Sequence, residues 1–251
     1  MFLKIRMRYS GYFKRSATYA AVALAVCSVG AIVAVQQHAV RNLKRRQDAI
    51  TEVYWGVGTY RGFGWPLIGG NEHHSRPEPY SWRFKVCPMV SPPTETREPR
   101  FSERWDSEHN LVLARDPDWE RPFHDSDGFS TVFIVTGPDT PFDPATQYDS
   151  KTYPSDLILL VEVHQKKVHW MQPGDLEIEK IKGNPATAAE CDWWRGSFLV
   201  IFADGAVCEL AGNVPCSLIA QFATIHGAAS GSREQSLAPY ILSTTRLRDN
   251  P

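Results

Sequence analysis

Histidines and acids with a hydroxyl nearby are where this chain could carry chemistry, and each grouping has a plainer reading beside it. His73 and His74 stand next to Glu72, a donor set that suggests a metal. Adjacent side chains point apart, however, and no H-E-x-x-H follows, so a solvated loop fits better. Asp116, Asp118, Asp125 and Asp127, with Ser126 and Gly128, offer oxygen ligands for calcium, yet their spacing is not that of an EF-hand loop. His109 and His124 are candidate bases, and Ser107 and Ser130 candidate nucleophiles, but no G-x-S-x-G elbow accompanies them. His164 and His169 flank an expected turn at Lys166-Lys167, where strand-end packing is the ordinary role. Trp193-Trp194 is able to stack on a sugar, although two large aromatics entering a strand usually serve as core and edge cover. No nucleophile, base and orienting group come together, so the sequence assigns no catalytic residue, no cofactor and no metal.

The cysteines are equally open. Cys27 lies in an apolar run, and Cys87, Cys191, Cys208 and Cys216 form an even set without a C-x-x-C pair or a His spaced to complete a zinc site. Four cysteines allow three connectivities; Cys208 and Cys216 are merely the nearest pair, and free thiols fit as well.

The elements that must position these residues begin with the run Ala17–Val35, 19 residues without a charge. At about 1.5 Å per residue such a helix is roughly 28 Å long, close to the ~30 Å apolar core of a bilayer. A cleaved signal peptide is the rival reading, but its apolar core usually holds only about 7–15 residues. Lys4, Arg6, Arg8, Lys14 and Arg15 precede the run and Arg41, Lys44, Arg45 and Arg46 follow it, a balance that leans toward the N-terminus inside. The expectation is therefore a basic cytoplasmic tail over 1–16, a transmembrane helix over 17–35, and a single-pass protein of the inner membrane with its globular part extracytoplasmic. Val40, Leu43, Ile50, Val53 and Tyr54 recur at helical spacing and predict that the helix continues over 36–58, until Gly56 and Gly58 stop it.

Downstream the composition changes. Nine of the 27 Lys and Arg fall in the first 50 residues with a single acid, which leaves 18 bases against 27 acids in the remainder. An acidic body of about 200 residues is large enough for one core and unsuited to nucleic acid, which needs dense positive charge. The basic flanks alone are placed to touch lipid headgroups. After a loop over 59–79, β-rich runs at Tyr80–Val86, Ser130–Thr136, Asp156–Val163, Ser197–Phe202 and Ala206–Leu210 predict strands, the last two joined by a tight hairpin at Asp204-Gly205. Leu218, Ile219, Phe222 and Ile225 give one apolar helical face after Pro215, with Gly227 where a C-cap belongs, and 228–251 read as a loose tail. The fold class is α+β.

Six words occur in order along this stretch: Ser81-Trp82-Arg83 with Pro88; Trp105-Asp106-Ser107 with Asn110; Gly137-Pro138-Asp139-Thr140 with Phe142; Ile158-Leu159-Leu160-Val161-Glu162; Trp170 with Pro173-Gly174-Asp175-Leu176; and Phe202-Ala203-Asp204-Gly205. Together, over roughly 40–227, they resemble the bacterial pilin-like family called domain of unknown function 1559. Its processing-associated motif is a His, nine residues, then Asp-Gly. The resemblance implies a pilin-like fold: a long N-terminal membrane-spanning helix packed on an antiparallel sheet domain at 59–227, closed by a short helix. It singles out Ser81, Trp82, Arg83, Trp105, Asp106, Gly137, Pro138, Glu162, Trp170, Pro173, Asp175, Phe202, Asp204 and Gly205 as motif positions. Two departures matter. Trp194 stands where the motif has His, and Gly11-Tyr12-Phe13-Lys14 is not a prepilin cleavage site, since no acid follows until Asp48. The function implied is that of a non-enzymatic pilin-like or pseudopilin-like protein in a cell-envelope or secretion-related assembly, with protein partners and membrane lipid. A glycan- or calcium-binding module is the alternative, and an anchored hydrolase comes last.

Overall fold

The computed structural model describes residues 3–62, 67–68, 80–90, 100–113, 123–143, 152–184, 186–191, 194 and 196–247, with side chains from residue 27 onward. The chain divides into two units, Met1–Arg46 and Gln47–Pro251. The first consists of the greater part of helix α1 (Leu3–Gly62). In the second, α2 (Trp82–Val90) and α3 (Glu108–Leu113) lead into two short strands, β1 (Val132–Phe133) and β2 (Val135–Thr136). Then come β3 (Ile158–Glu162), β4 (Leu176–Glu177), α4 (Ile178–Lys182), β5 (Phe198–Phe202) and β6 (Ala206–Leu210). Three short helices, α5 (Cys216–Phe222), α6 (Ile225–Ser230) and α7 (Arg233–Ser236), precede a closing strand, β7 (Ile241–Arg246).

The architecture is α+β. One antiparallel sheet runs β1-β3-β5-β6-β7, and β2 pairs with β4 in a separate parallel ribbon. All five residues of β5 are buried, which is why its sequence reads Phe-Leu-Val-Ile-Phe with no polar alternation. Ile178 and Ile181 of α4 and Ile219 and Phe222 of α5 join Phe198, Val200 and Phe202 in the core cluster. Each such side chain removed from water contributes roughly 1.5–3 kcal/mol. The hairpin β5–β6 closes at Asp204-Gly205: Gly205 takes φ +76°, and Asp204 Oδ1 accepts the Ala206 N–H at 3.0 Å.

The expected membrane-spanning helix is corrected. No helix among the described residues is long and apolar enough to cross a membrane. The reason is that the apolar run's described part, Cys27–Val35, passes at once into Gln36-Gln37-His38 and then Arg41, Lys44, Arg45, Arg46 and Asp48 within the same helix. The side chains of the expected tail 1–16 and of residues 17–26 lie outside the described residues.

Three further expectations change. Gly56 and Gly58 sit inside α1 rather than ending it; a Cβ on Gly56 would lie 2.4 Å from Val90 Cγ2 and 2.7 Å from Val86 Cγ1, so the residue permits close packing on α2. Residues 80–86, expected as a strand, lead into and form α2, whose residues Trp82 to Cys87 are all buried. Burial on every side erases helical periodicity and leaves an apolar run that mimics a strand. The expected tail instead carries the rest of α6, then α7 and β7, and Gly227 lies within α6. Strand β7 was illegible because it is an exposed edge, Ile-Leu-Ser-Thr-Thr-Arg, paired to β6 on one side.

Candidate functional site

Arg83, the second residue of α2, is 0% exposed. Its Nη2 donates to Asp175 Oδ1 at 2.8 Å and its Nε to the Val132 carbonyl at 2.7 Å, while its guanidinium lies 4.4 Å from the Phe133 ring centre and 4.7 Å from that of Trp82. The same carboxylate oxygen accepts the Trp82 indole N–H at 2.9 Å. Ser81, just before α2, donates its hydroxyl to the Trp170 carbonyl at 2.6 Å and its amide to the Met171 carbonyl at 2.9 Å. Lys166 Nζ donates to the Asp175 carbonyl and faces the Phe133 ring. Burial pulls both the Arg83 guanidinium and the Lys166 ammonium below their ordinary pKa values, with Asp175 opposing the change in each. A buried cation is tolerable only with such a full set of partners. Ser81, Trp82, Arg83, Trp170 and Asp175, drawn from two separate words, thus form one network.

Trp170 carries a second layer. Its indole stacks on Phe123 (6.2 Å between centroids), His124 (5.9 Å) and His169 (6.3 Å), and Trp105 stacks on His169 at 5.0 Å. His124 Nδ1 donates to the Asp125 carbonyl, which leaves Nε2 as the free ring nitrogen. That nitrogen, Ser130 Oγ and Trp170 Nε1 are buried without a hydrogen-bond partner among the described residues. Burial, and then the charge of His124, lower the pKa of His169. His124 and Ser130 face one another across an antiparallel bridge, so the fold does bring these two candidates together. The pairing is through the backbone, since the imidazole and the hydroxyl make no hydrogen bond to each other, and a backbone carbonyl rather than a carboxylate orients the imidazole.

The remaining candidates have structural occupations. Ser107 Oγ accepts the Asn110 amide at 3.2 Å as the cap of α3, which also carries His109. Asp125 Oδ1 accepts the Asp127 and Phe129 amides at 2.9 and 3.0 Å, closing a turn with Gly128 at φ +80°. His164 meets Glu162 at 3.5 Å. Among the described residues no three His, Cys, Asp or Glu side chains are grouped to hold a metal ion. Glu72, His73, His74, Asp116, Asp118 and Trp193 lie outside the described residues.

The other motif positions hold the frame. Glu162 Oε2 accepts the Leu199 amide at 2.9 Å and its carbonyl accepts the Trp194 indole at 2.7 Å, so the residue at the motif's His position is a buried tie. Gly137, at φ +112°, and Pro138 start a turn whose Asp139 accepts the Ile225 amide through its carbonyl at 2.8 Å and the His226 amide through Oδ2 at 3.2 Å. Asp106 pairs with Arg104 on the surface at 2.8 Å, and Pro173 precedes the loop that delivers Asp175. Phe202 and Asp204 meet Arg233: its guanidinium lies 4.5 Å from the Phe202 ring centre and grips Asp204 at 3.1 and 2.7 Å, while its amide donates to Asp156 at 2.9 Å; the Gly205 amide donates to the Phe202 carbonyl at 3.0 Å. Sequence reasoning missed Arg233, Asp156, Lys166 and Phe133. Their partners are distant in the chain, and no local pattern marks them.

Compared with protein-family models, curated proteins and solved structures, the chain has no match in any of the three.

Proposed function

We propose that this chain has a structural or interaction role and performs no catalysis. One observation carries the reading: Val29, Ile32, Val33, Val35 and Val40 of α1 are 61, 57, 44, 69 and 67% exposed. Several large apolar side chains left in water along one helical segment mark a surface that another chain covers. The groups with chemical potential in the second unit support the same reading, since Arg83, Asp175, Asp204 and Arg233 neutralise one another internally. The resemblance suggests the partner: apolar helices of neighbouring subunits in a pilin-like or pseudopilin-like assembly of the cell envelope or a secretion system. The acidic body argues against nucleic acid.

The test places a photo-crosslinking residue at Val33 in the full chain and a second at the exposed Leu242 of β7. Adducts of defined mass from position 33, absent from position 242 and lost with Ile32→Glu, are the expected result. A strictly monomeric chain without adducts overturns the proposal. A second reading, a ligand-binding module, is favoured by His124 Nε2, Ser130 Oγ and Trp170 Nε1, buried without a partner among the described residues. Thermal shift against glycans and calcium tests it, because a ligand stabilises by RT ln(1 + [L]/Kd), and no shift across the panel ends it.

A further inference from the structure

Cys191 and Cys216 lie 25 residues apart in sequence, and their Sγ atoms are 2.7 Å apart, closer than two unbonded sulfurs rest. The two are free thiols in this structure. We propose that they are a redox modification site, oxidised to a disulfide that ties the turn at Ala188–Glu190 to the first residue of α5 across the β5–β6 hairpin.

The backbone already holds both cysteines in place. Thr187 bridges Pro215, the Ala188 amide donates to the Val214 carbonyl at 2.8 Å, the Ala189 amide to Gly212 at 2.6 Å, and the Cys216 amide to Ala186 at 3.1 Å. Closing the gap to the ~2.05 Å of a disulfide therefore needs movement of less than an ångström, within the reach of χ1 adjustment. The other thiols are differently placed: Cys208 contacts the Thr244 hydroxyl at 3.4 Å, Cys87 is fully buried in α2, and Cys27 is exposed on α1.

The reaction is thiol–disulfide exchange with a small-molecule or protein disulfide as oxidant. Cys191, 6% exposed against 0% for Cys216, is the more accessible residue of the pair, and the Asn184 amide donates to its Sγ at 3.0 Å. The Cys191 thiolate attacks one sulfur of the oxidant and expels the other as a thiolate. Cys216 then loses its proton and attacks Cys191 Sγ, expelling the second thiolate. The protein gives up two electrons and two protons, and the oxidant leaves as two thiols. Burial, reinforced by the Cys191 thiol, pushes the Cys216 thiol up to about 12, so this second step is slow in the folded chain.

The test incubates the full chain with oxidised glutathione, removes the oxidant, denatures, alkylates with N-ethylmaleimide and measures intact mass and the peptide map. Of the five cysteines, three take the adduct after oxidation and all five after reduction, with the Cys191 and Cys216 peptides linked. A closed loop of this length raises the Tm of the oxidised chain by about 7–14 °C over the reduced chain. Five adducts after oxidation, a link through Cys208 or Cys87 instead, or an unchanged Tm in the linked chain overturns the proposal. Cys216→Ser strands the mixed disulfide, so an oxidised sample takes three adducts and carries one glutathione on Cys191 that reduction releases; a Cys191 link to any other cysteine in that variant also overturns the proposal.

Discussion

Replacing Asp175 with Leu removes the one carboxylate that meets Arg83 among the described residues, and the cost follows from what stays behind. The guanidinium remains fully buried between the Trp82 and Phe133 rings, with the Val132 carbonyl at 2.7 Å and the Gly174 carbonyl at 3.5 Å as its acceptors among the described residues, and the Trp82 N–H loses its acceptor. Removing one partner of a buried pair costs about 3–5 kcal/mol, most of it the desolvated charge left unmatched. Taking about 4 kcal/mol, Tm falls by about 8–16 °C in a domain of this size. The double variant Arg83→Met/Asp175→Leu separates charge from packing. It removes both charges and keeps apolar volume, so it recovers at least about 2 kcal/mol of the single variant's loss; the unpaired Trp82 N–H and Val132 carbonyl account for the remainder. Urea unfolding followed by far-UV circular dichroism supplies all corners of the cycle, with Arg83→Met as the fourth. If Asp175→Leu costs less than about 1 kcal/mol, or if the double variant is as unstable as the two singles added, the reasoning about the buried pair fails.

Further predictions concern the hairpin, the imidazoles and two glycines. Burial pushes the Asp204 carboxyl up, but hydrogen bonds from Arg233 and the Ala206 amide and the charges of Arg233 and Arg246 hold it below its ordinary 3.8. A depressed folded pKa gives stability that is present above the unfolded value and lost as pH falls through the folded one. Asp204→Asn should therefore cost about 1–2 kcal/mol at pH 7, with the gap to wild type closing below about pH 4 in urea titrations. His169, lowered chiefly by burial, binds fewer protons folded than unfolded, so it removes stability as pH falls below 6.5. His169→Gln should flatten Tm between pH 5 and about 7, and in an NMR titration His124→Ala should move His169 partway back toward its ordinary value. Gly128 and Gly137 both have positive φ, but an added Cβ finds only His169 at 3.7 Å in the first and Ile178 Cγ2 at 2.8 Å in the second. Gly128→Ala should cost about 1 kcal/mol and Gly137→Ala about 2–4, read from urea midpoints.

How much of this was readable depended on whether the governing interaction was local. Asp204-Gly205 between two β-branched runs announces a hairpin because the turn chemistry sits inside four residues, and β5 and β6 lie within one residue of where the sequence placed them. The helical stripe of Ile50, Val53 and Tyr54 was legible for the same reason, whereas its end was not: the close packing that needs a glycine at position 56 is against Val86 and Val90, some thirty residues on. Ser81-Trp82-Arg83 looked strand-like since complete burial removes the polar positions that report a helix. The site shows the same division. Single motif positions stood out, but that Arg83 and Trp82 donate to one oxygen of Asp175, that Arg233 clasps Asp204, and that Cys191 meets Cys216 rather than Cys208 are facts about the folded chain.

The glycine at position 56 has a reach beyond its own helix. Because it bears no side-chain carbon, the α1 and α2 backbones approach until Val86 and Val90 fill the vacancy, and Arg83 stands one turn of α2 before Val86. The spacing between two helices thereby sets how far a guanidinium extends toward its carboxylate. A single methyl group at residue 56 would act as a shim, widening that spacing and drawing the ion pair apart without touching either of its members.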